Sequence, residues 1–172
     1  ASGAAAIFGT TGGVMEAALR AAYELMTGEE LKKVEFEQVR GEKGIKKATV
    51  QIGDKEVRVA VAHGLGNAKK IMEEIKSGKA DFQFAEIMAC PGGCIMGAGQ
   101  PIKNSKIRAS VDVRSKRAAA MYSIDERSTI RKSQDNPILK AIYKEYIGQP
   151  GQHRAHELLH THYEKKEKYN IF

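Results

Sequence analysis

The chain has no tryptophan, two cysteines and four prolines in 172 residues, and no apolar run near the roughly 18 residues that a membrane-spanning helix requires. Each scarcity removes a class of protein. Two cysteines in a chain this long do not make a disulfide scaffold, which points to a reducing cytoplasmic setting. The N-terminus lacks the charged-then-apolar layout of a secretory signal. Five Phe and six Tyr are present but do not cluster, so the aromatic platforms that nucleic-acid binders interleave with basic residues are missing. Lys and Arg number 28 against 21 Asp and Glu, a net charge of +7 spread along the chain without a block. That balance suits acidic partners better than nucleic acid. There is also no initiator Met: ASGAAAIF runs straight into GTTGGVMEAALR, which reads as a domain entered midway, a processed or separate piece of something larger.

What is present is enough apolar residue, 42%, for one ordinary core with a helical appendage. AAAIF reads as the end of a buried strand. TTGGVMEAALRAAYELMTG follows with helix-start chemistry at Thr10 and Thr11, a stop at Gly28, and Val14, Ala18, Ala21 and Leu25 on one face at helical spacing. KVEFEQVR (33–40), ATVQI and EVRVAVA alternate as strands do, the last two joined by a Gly53-Asp54 hairpin turn. Asn67 is a suitable N-cap for AKKIMEEIKS, Gly78 a suitable stop, and FQFAEIMA is strand-like again.

Residues 56–89 thus read as strand, helix, strand, a unit that forms a right-handed parallel crossover with ligands beyond the carboxyl ends of its strands. CPGGC (90–94) follows the second strand, and the loop of Phe8, Gly9 and Thr10 occupies the equivalent place after the first apolar run, so both loops are expected to line one pocket. Beyond Pro101 the patterns are helical: VRSKRAAAMYSIDERST, PILKAIYKEYI and GQHRAHELLHTHYEKKEK. The expected fold is α/β, a mixed or parallel sheet flanked by helices over residues 1–112, with a helical tail over 113–172.

Cys90 and Cys94 admit three readings. A redox pair of the thioredoxin kind has two intervening residues rather than three. Two small buried hydrophobes are a second account, but it gives no reason for Gly92, Gly93, Gly97 and Gly99 in one loop. Glycines let backbone approach a bulky object, and paired thiolates favour soft metals or iron-sulfur clusters. A cubane cluster or a zinc ion wants four ligands. The chain is two short, so the others are expected from a preceding segment or another chain.

EIMACPGGCIMGAGQP resembles the third cluster-binding motif of the iron-only (di-iron) hydrogenases, whose pattern runs Glu-x-Met-x-Cys, then Gly-Cys, then glycines and Gln-Pro. FGTTGGVMEAALRAAYEL is similar to the segment preceding it in that family, and the tail KSQDNPILKAIYKEYIGQPGQHRAHELLH is similar to the family's small-subunit region. Nearly the whole chain is covered. The resemblance implies that Cys90 ligates the 4Fe-4S cubane of the H-cluster and that Cys94 bridges the cubane to a di-iron subsite carrying carbonyl, cyanide and dithiolate ligands. It implies that Met88 and Phe8 line the di-iron pocket, with Gly9 and Thr10 adding backbone or hydroxyl contacts. Ala98 departs from the glycine more frequent there, with little expected consequence.

The activity implied is reversible hydrogen oxidation, with H2 and protons as substrates and ferredoxin or NAD(P)H-linked subunits as electron partners. The family's first two cysteine motifs and its proton relay have no counterpart in these residues, so the chain alone is expected to be catalytically incomplete. Two other readings remain: a non-catalytic iron-sulfur assembly protein of the nuclear prelamin A recognition factor type, and a sensory hydrogenase relative. HELLH (156–160) also fits the H-E-x-x-H zinc pattern. Only twelve residues follow it, mostly Lys, Glu and Tyr, and the competing expectation is a helix end with Leu158 and Leu159 facing the body and Glu157 paired to Arg154 or Lys165.

Overall fold

Gly53, at φ +60°, turns the chain between β1 (Ile45–Ile52) and β2 (Lys55–His63), which pair antiparallel with Ile52 opposite Lys55 and Ile45 opposite Ala62. The computed structural model describes residues 1–41 and 43–165. From β2 the chain crosses through α3 (Leu65–Lys76) to β3 (Phe84–Met88), parallel to β2, which makes the sheet mixed with strand order β1-β2-β3. The strand, helix, strand unit expected over 56–89 is therefore present, and the fold is the α/β arrangement anticipated.

The sheet is covered on both faces. On one, Val50, Ile52, Val57, Val59 and Val61 pack with Met15 and Leu19 of α2 (Gly13–Thr27) and with Leu31, Val34, Phe36 and Val39. On the other, Ala60 and Ala62 meet Ile71 of α3. Burial on both sides is why β2 reads as the near-continuous run VAVA, and each fully buried aliphatic side chain contributes roughly 1.5–3 kcal/mol.

Several expected elements differ in structure. AAAIF is a helix, α1 (Gly3–Ile7), capped by the Ser2 hydroxyl, which accepts from Ala5 N–H at 3.3 Å. Small residues let α1 lie close against α5 (Val113–Glu126): a Cβ on Gly3 would stand 2.1 Å from Asp125 Oδ1. KVEFEQVR has no strand partner among the described residues. Its alternation reports real burial of Val34 and Phe36, but the Val34 carbonyl accepts from Arg20 Nε at 2.9 Å and the chain then closes a 3-10 turn, Glu37–Val39. Asn67 is not a cap either. The helix starts at Leu65 after Gly64, and Asn67 instead donates to the His63 carbonyl at 2.8 Å.

The largest difference concerns α2. The stripe of Val14, Ala18, Ala21 and Leu25 is its outer face, Val14 being 36% and Leu25 86% exposed. Met15, Leu19, Glu16 and Arg20 are inside, the last two fully buried. Burying two charges is tolerable only when their bonds are made. Arg20 makes them all: its five N–H groups reach Val34 O, Arg131 O, Glu16 Oε1 and both oxygens of Asp125, at 2.8–2.9 Å.

By compactness the chain divides after Asn136. The first unit also holds α4 (Ser105–Ser110), capped by Asn104, and α5, capped by Asp112. In the second, α6 (Pro137–Ile142) continues into a π-helical turn, Tyr143–Ile147, and after Gly148 comes α7 (His153–Leu159). The helix expected through Lys168 stops at Leu159; residues 160–165 are not helical, and 166–168 lie outside the described residues. No helix among the described residues is long and apolar enough to cross a membrane.

Candidate metal-cluster site

β3 ends at Met88 and the chain turns into the cysteine loop. Gly92 and Gly93 have φ of +90° and +91°, backbone conformations that side-chain-bearing residues rarely adopt. Gly93 N–H donates to the Cys90 carbonyl at 2.9 Å, and a 3-10 turn, Cys94–Met96, follows. Both thiols are free, Cys90 half-buried and Cys94 exposed.

The loop after α1 packs directly against this one. Ile95 N–H donates to Gly9 O at 3.0 Å and Thr11 N–H to Gly92 O at 3.3 Å. The two loops expected to share a pocket are thus joined backbone to backbone. A Cβ on Gly93 would lie 2.7 Å from Gly9 O and 2.9 Å from Met88 Sδ. Gly93→Ala is accordingly expected to cost on the order of 2–4 kcal/mol, from strain at positive φ and from prising the loops apart. Urea unfolding followed by circular dichroism measures this, and wild-type stability would show that the contact is absent in solution.

Each residue singled out from the sequence has a definite place. Phe8 caps α1 and is 44% exposed; Met88 is half-buried with its sulfur against Gly93. Gly9 gives its carbonyl to Ile95. Thr10 is buried, its hydroxyl donating to the Ile7 carbonyl at 2.8 Å and lying 3.3 Å from the Tyr122 hydroxyl. Thr11 is only 5% exposed, and its hydroxyl has no partner among the described residues.

Two supporting residues escaped sequence reasoning. Arg117 of α5 donates to Ile95 O at 2.8 Å and to Pro101 O at 2.7 Å, bracing the chain after Cys94. Glu86, the one buried residue of β3, accepts from Gly12 N–H at 2.6 Å and Met15 N–H at 2.7 Å. It caps α2, the role assigned from sequence to Thr10 and Thr11; the N-cap residue is Gly12, which has no side chain to do so. A lone acid within the apolar FQFAEIM was the available signal.

Lys46, Val61 and Glu86 occupy one row across the three strands. Lys46 Nζ is enclosed and has no hydrogen-bond partner among the described residues. Burial lowers its pKa to about 8, although Glu86 and Glu16 favour the charged form. Burial likewise raises the Glu86 carboxyl, against the opposing pull of the Gly12 and Met15 amides and of Lys46. A lysine whose folded pKa is depressed binds its proton more weakly than the unfolded chain does, so stability rises as pH climbs from about 8 towards the ordinary lysine value of 10.5. Lys46→Met should stabilise the protein at pH 7 by on the order of 1–2 kcal/mol, after discounting for a partly open side chain, and abolish that rise. Thermal melts between pH 7 and 10 test it.

The donor set suits part of a cluster site. It consists of two soft thiols, one exposed, on a glycine loop with no room for a Cβ at Gly93, bonded through Gly92 O to Thr11, whose buried hydroxyl has no partner among the described residues. Among the described residues no three His, Cys, Asp or Glu side chains converge as a metal site. At HELLH the helix ends at Leu159 and His160 is extended, so the two histidines do not share a helix; Leu158 and Leu159 are 46% and 53% exposed, and Glu157 lies 3.5 Å from His153 rather than pairing with Arg154 or Lys165. The buried residue of α7 is Ala155, which sets the other face outward.

Comparison with known proteins identifies the family. The family described as iron only hydrogenase large subunit, C-terminal domain, matches residues 1–98, and the iron hydrogenase small subunit matches residues 111–166. The chain is 50% identical over 167 residues to the NADP-reducing hydrogenase subunit HndD of Solidesulfovibrio fructosivorans, covering 97% of this chain and 28% of that protein. It is 47% identical over 164 residues to iron hydrogenase 1 of Clostridium pasteurianum, covering 95% of this chain and 29% of that one. The solved FeFe-hydrogenase HydA1 of Chlamydomonas reinhardtii superposes with a TM-score of 0.66 at 43% identity, over 91% of this chain and 45% of that one. The chain therefore spans less than a third of these curated relatives' length. With the cysteine loop, the loop seated on it and the sheet that presents both, it belongs to the iron-only hydrogenase family, as the C-terminal domain of the large subunit followed by the small-subunit region.

Proposed function

We propose that this chain forms the C-terminal wall of the cluster site of an iron-only hydrogenase that interconverts dihydrogen with protons and electrons. The observation that carries the reading is the junction of the two loops: the only two thiols stand on glycine-rich backbone pinned to the loop of Phe8, Gly9 and Thr10. When bound, the H-cluster, a 4Fe-4S cluster linked through a cysteine thiolate to a di-iron group, supplies the redox chemistry that splits hydrogen heterolytically. Cys94, the more accessible thiol, is the shared ligand in this reading, and Cys90 the terminal cubane ligand. Met88 and Phe8 wall the pocket and exclude water, while Gly9 and Thr10 hold the loop in place, Thr10 through its bond to Ile7.

Two further thiols are assigned to an upstream segment or a separate chain. Electrons pass to ferredoxin or to NAD(P)H-linked subunits, in a cytoplasmic setting consistent with two free thiols. Lys103 and Arg108 line an open groove of about 720 Å³ beside Met96 and Gly97, which supports an acidic carrier.

The test is infrared spectroscopy of the protein matured together with its upstream partner. Carbonyl and cyanide bands with hydrogen turnover are the expected result. Iron-sulfur absorbance without those bands would transfer the protein to the assembly class, and bands with negligible turnover to the sensory class. Absence of bound iron would remove the reading.

A further inference from the structure

We infer that Glu86 is a positioning residue for the thiol pair: from the middle of β3 its carboxylate holds the 9–12 loop in the register that seats Gly93 and directs Cys94. This rests on the cluster-site reading for its purpose but not for its geometry. Alternate residues of a strand share a face, so Glu86 and Met88 project to the same side of the sheet. Glu86 is 8% exposed there, beneath the start of α2.

The first turn of a helix leaves donors that its own backbone cannot satisfy, and its dipole favours a negative charge beside them. Gly12 N–H and Met15 N–H are two such donors. Glu86 takes one on each oxygen, from 74 and 71 residues away. Three ties then fasten the loop in order along its length: Gly9 O to Ile95 N–H, Thr11 N–H to Gly92 O, and Gly12 N–H to Glu86. The last is charge-assisted, and it ends on the strand that continues into Cys90. β3 thus grips both ends of the site, through its backbone at the cysteine loop and through one side chain at the facing loop. Without the carboxylate, the 9–12 loop keeps its bonds to Ile95, Gly92 and Ile7 but loses its tether to β3, and a shift of the loop reaches Ile95, next to Cys94, through Gly9.

The experiment uses the metal-free full chain and iodoacetamide, with alkylation of Cys90 and Cys94 followed separately by peptide mass mapping at a temperature where every variant is folded. In the native chain exposed Cys94 is expected to react faster than half-buried Cys90. Glu86→Gln, which retains one acceptor and turns an NH2 group on the other donor, is expected to change the Cys94-to-Cys90 rate ratio by about threefold or more and to speed amide exchange at Gly12 and Met15. Exchange in β2 should be unchanged. Asp125→Asn, a destabilising control outside the loop, should leave the ratio at its native value. Glu86→Asp keeps both oxygens on a shorter arm and should recover part of the effect; if Glu86→Gln does not fold, the aspartate variant decides alone, by the same shift in ratio or its absence. A native ratio with Gly12 and Met15 still protected would overturn the inference, as would an equal change in Asp125→Asn. The thiol readout needs no cluster, so failure of the hydrogenase reading would appear separately, as missing infrared bands in every variant including the native protein.

Discussion

Cys94→Ser is expected to abolish retention of the di-iron group, with loss of its carbonyl and cyanide infrared bands and of hydrogen turnover down to background. A serine hydroxyl is harder and far less acidic than a thiol, and it does not bridge two soft iron centres. The substitution should be nearly silent for folding, because Cys94 is exposed and takes part in the loop through its backbone. A change in melting equivalent to no more than about 0.5 kcal/mol is expected for such a surface position. That separation makes the result informative. Native bands persisting in the variant would show that this thiol is not the bridge, while a collapsed melting profile would show that Cys94 has a packing role the structure does not suggest.

Asp125→Ala should destabilise the first unit by about 3–5 kcal/mol, since it strips a fully buried arginine of its counter-ion. Asp125 and Arg20 are both inaccessible, held by two parallel bonds of 2.8 Å, and Arg131 closes on the same carboxylate at 2.6 Å. Burial alone would raise the Asp125 carboxyl, but the Arg20 and Arg131 bonds outweigh it and hold it below the usual carboxylate range. A carboxylate with a depressed folded pKa stabilises above its unfolded value of 3.8 and loses that contribution as pH falls through the folded value. The native protein should therefore lose stability on acidification below about pH 4, and Asp125→Ala should lose less over the same interval. Thermal melts from pH 3 to 7 measure both effects. An alanine variant that melts like the native protein would mean that the network is replaced by water in solution.

The same network explains what the sequence concealed. On α2, apolar spacing put Val14, Ala18, Ala21 and Leu25 on one face, and it is silent about Glu16 and Arg20, which a helical wheel treats as outward-facing by charge alone. Their acceptors and donors come from residues 34, 40, 125 and 131, and no local window contains them. KVEFEQVR misled for a related reason: two-residue alternation is a statement about burial, and here the groups that would pair with a neighbouring strand are met by a side chain and a turn. The cysteine site was more legible. Its glycines, thiols and Met88 are contiguous, and what made them recognisable was their local order. Glu86 stood in the same motif yet gave no hint that its partners were Gly12 and Met15.

From residues alone came the α/β class, the β1-β2 hairpin, the parallel crossover and the two thiols on a glycine loop, because turns, alternation and motif spacing act over a few positions. Tertiary structure alone decided that α1 is a helix, that α2 turns its charged side inward and that a strand carboxylate caps it. The physical reason is that a buried charge or an orphan amide is acceptable only beside a specific partner, and in this chain the partners that decide it include ones 71 to 111 residues away.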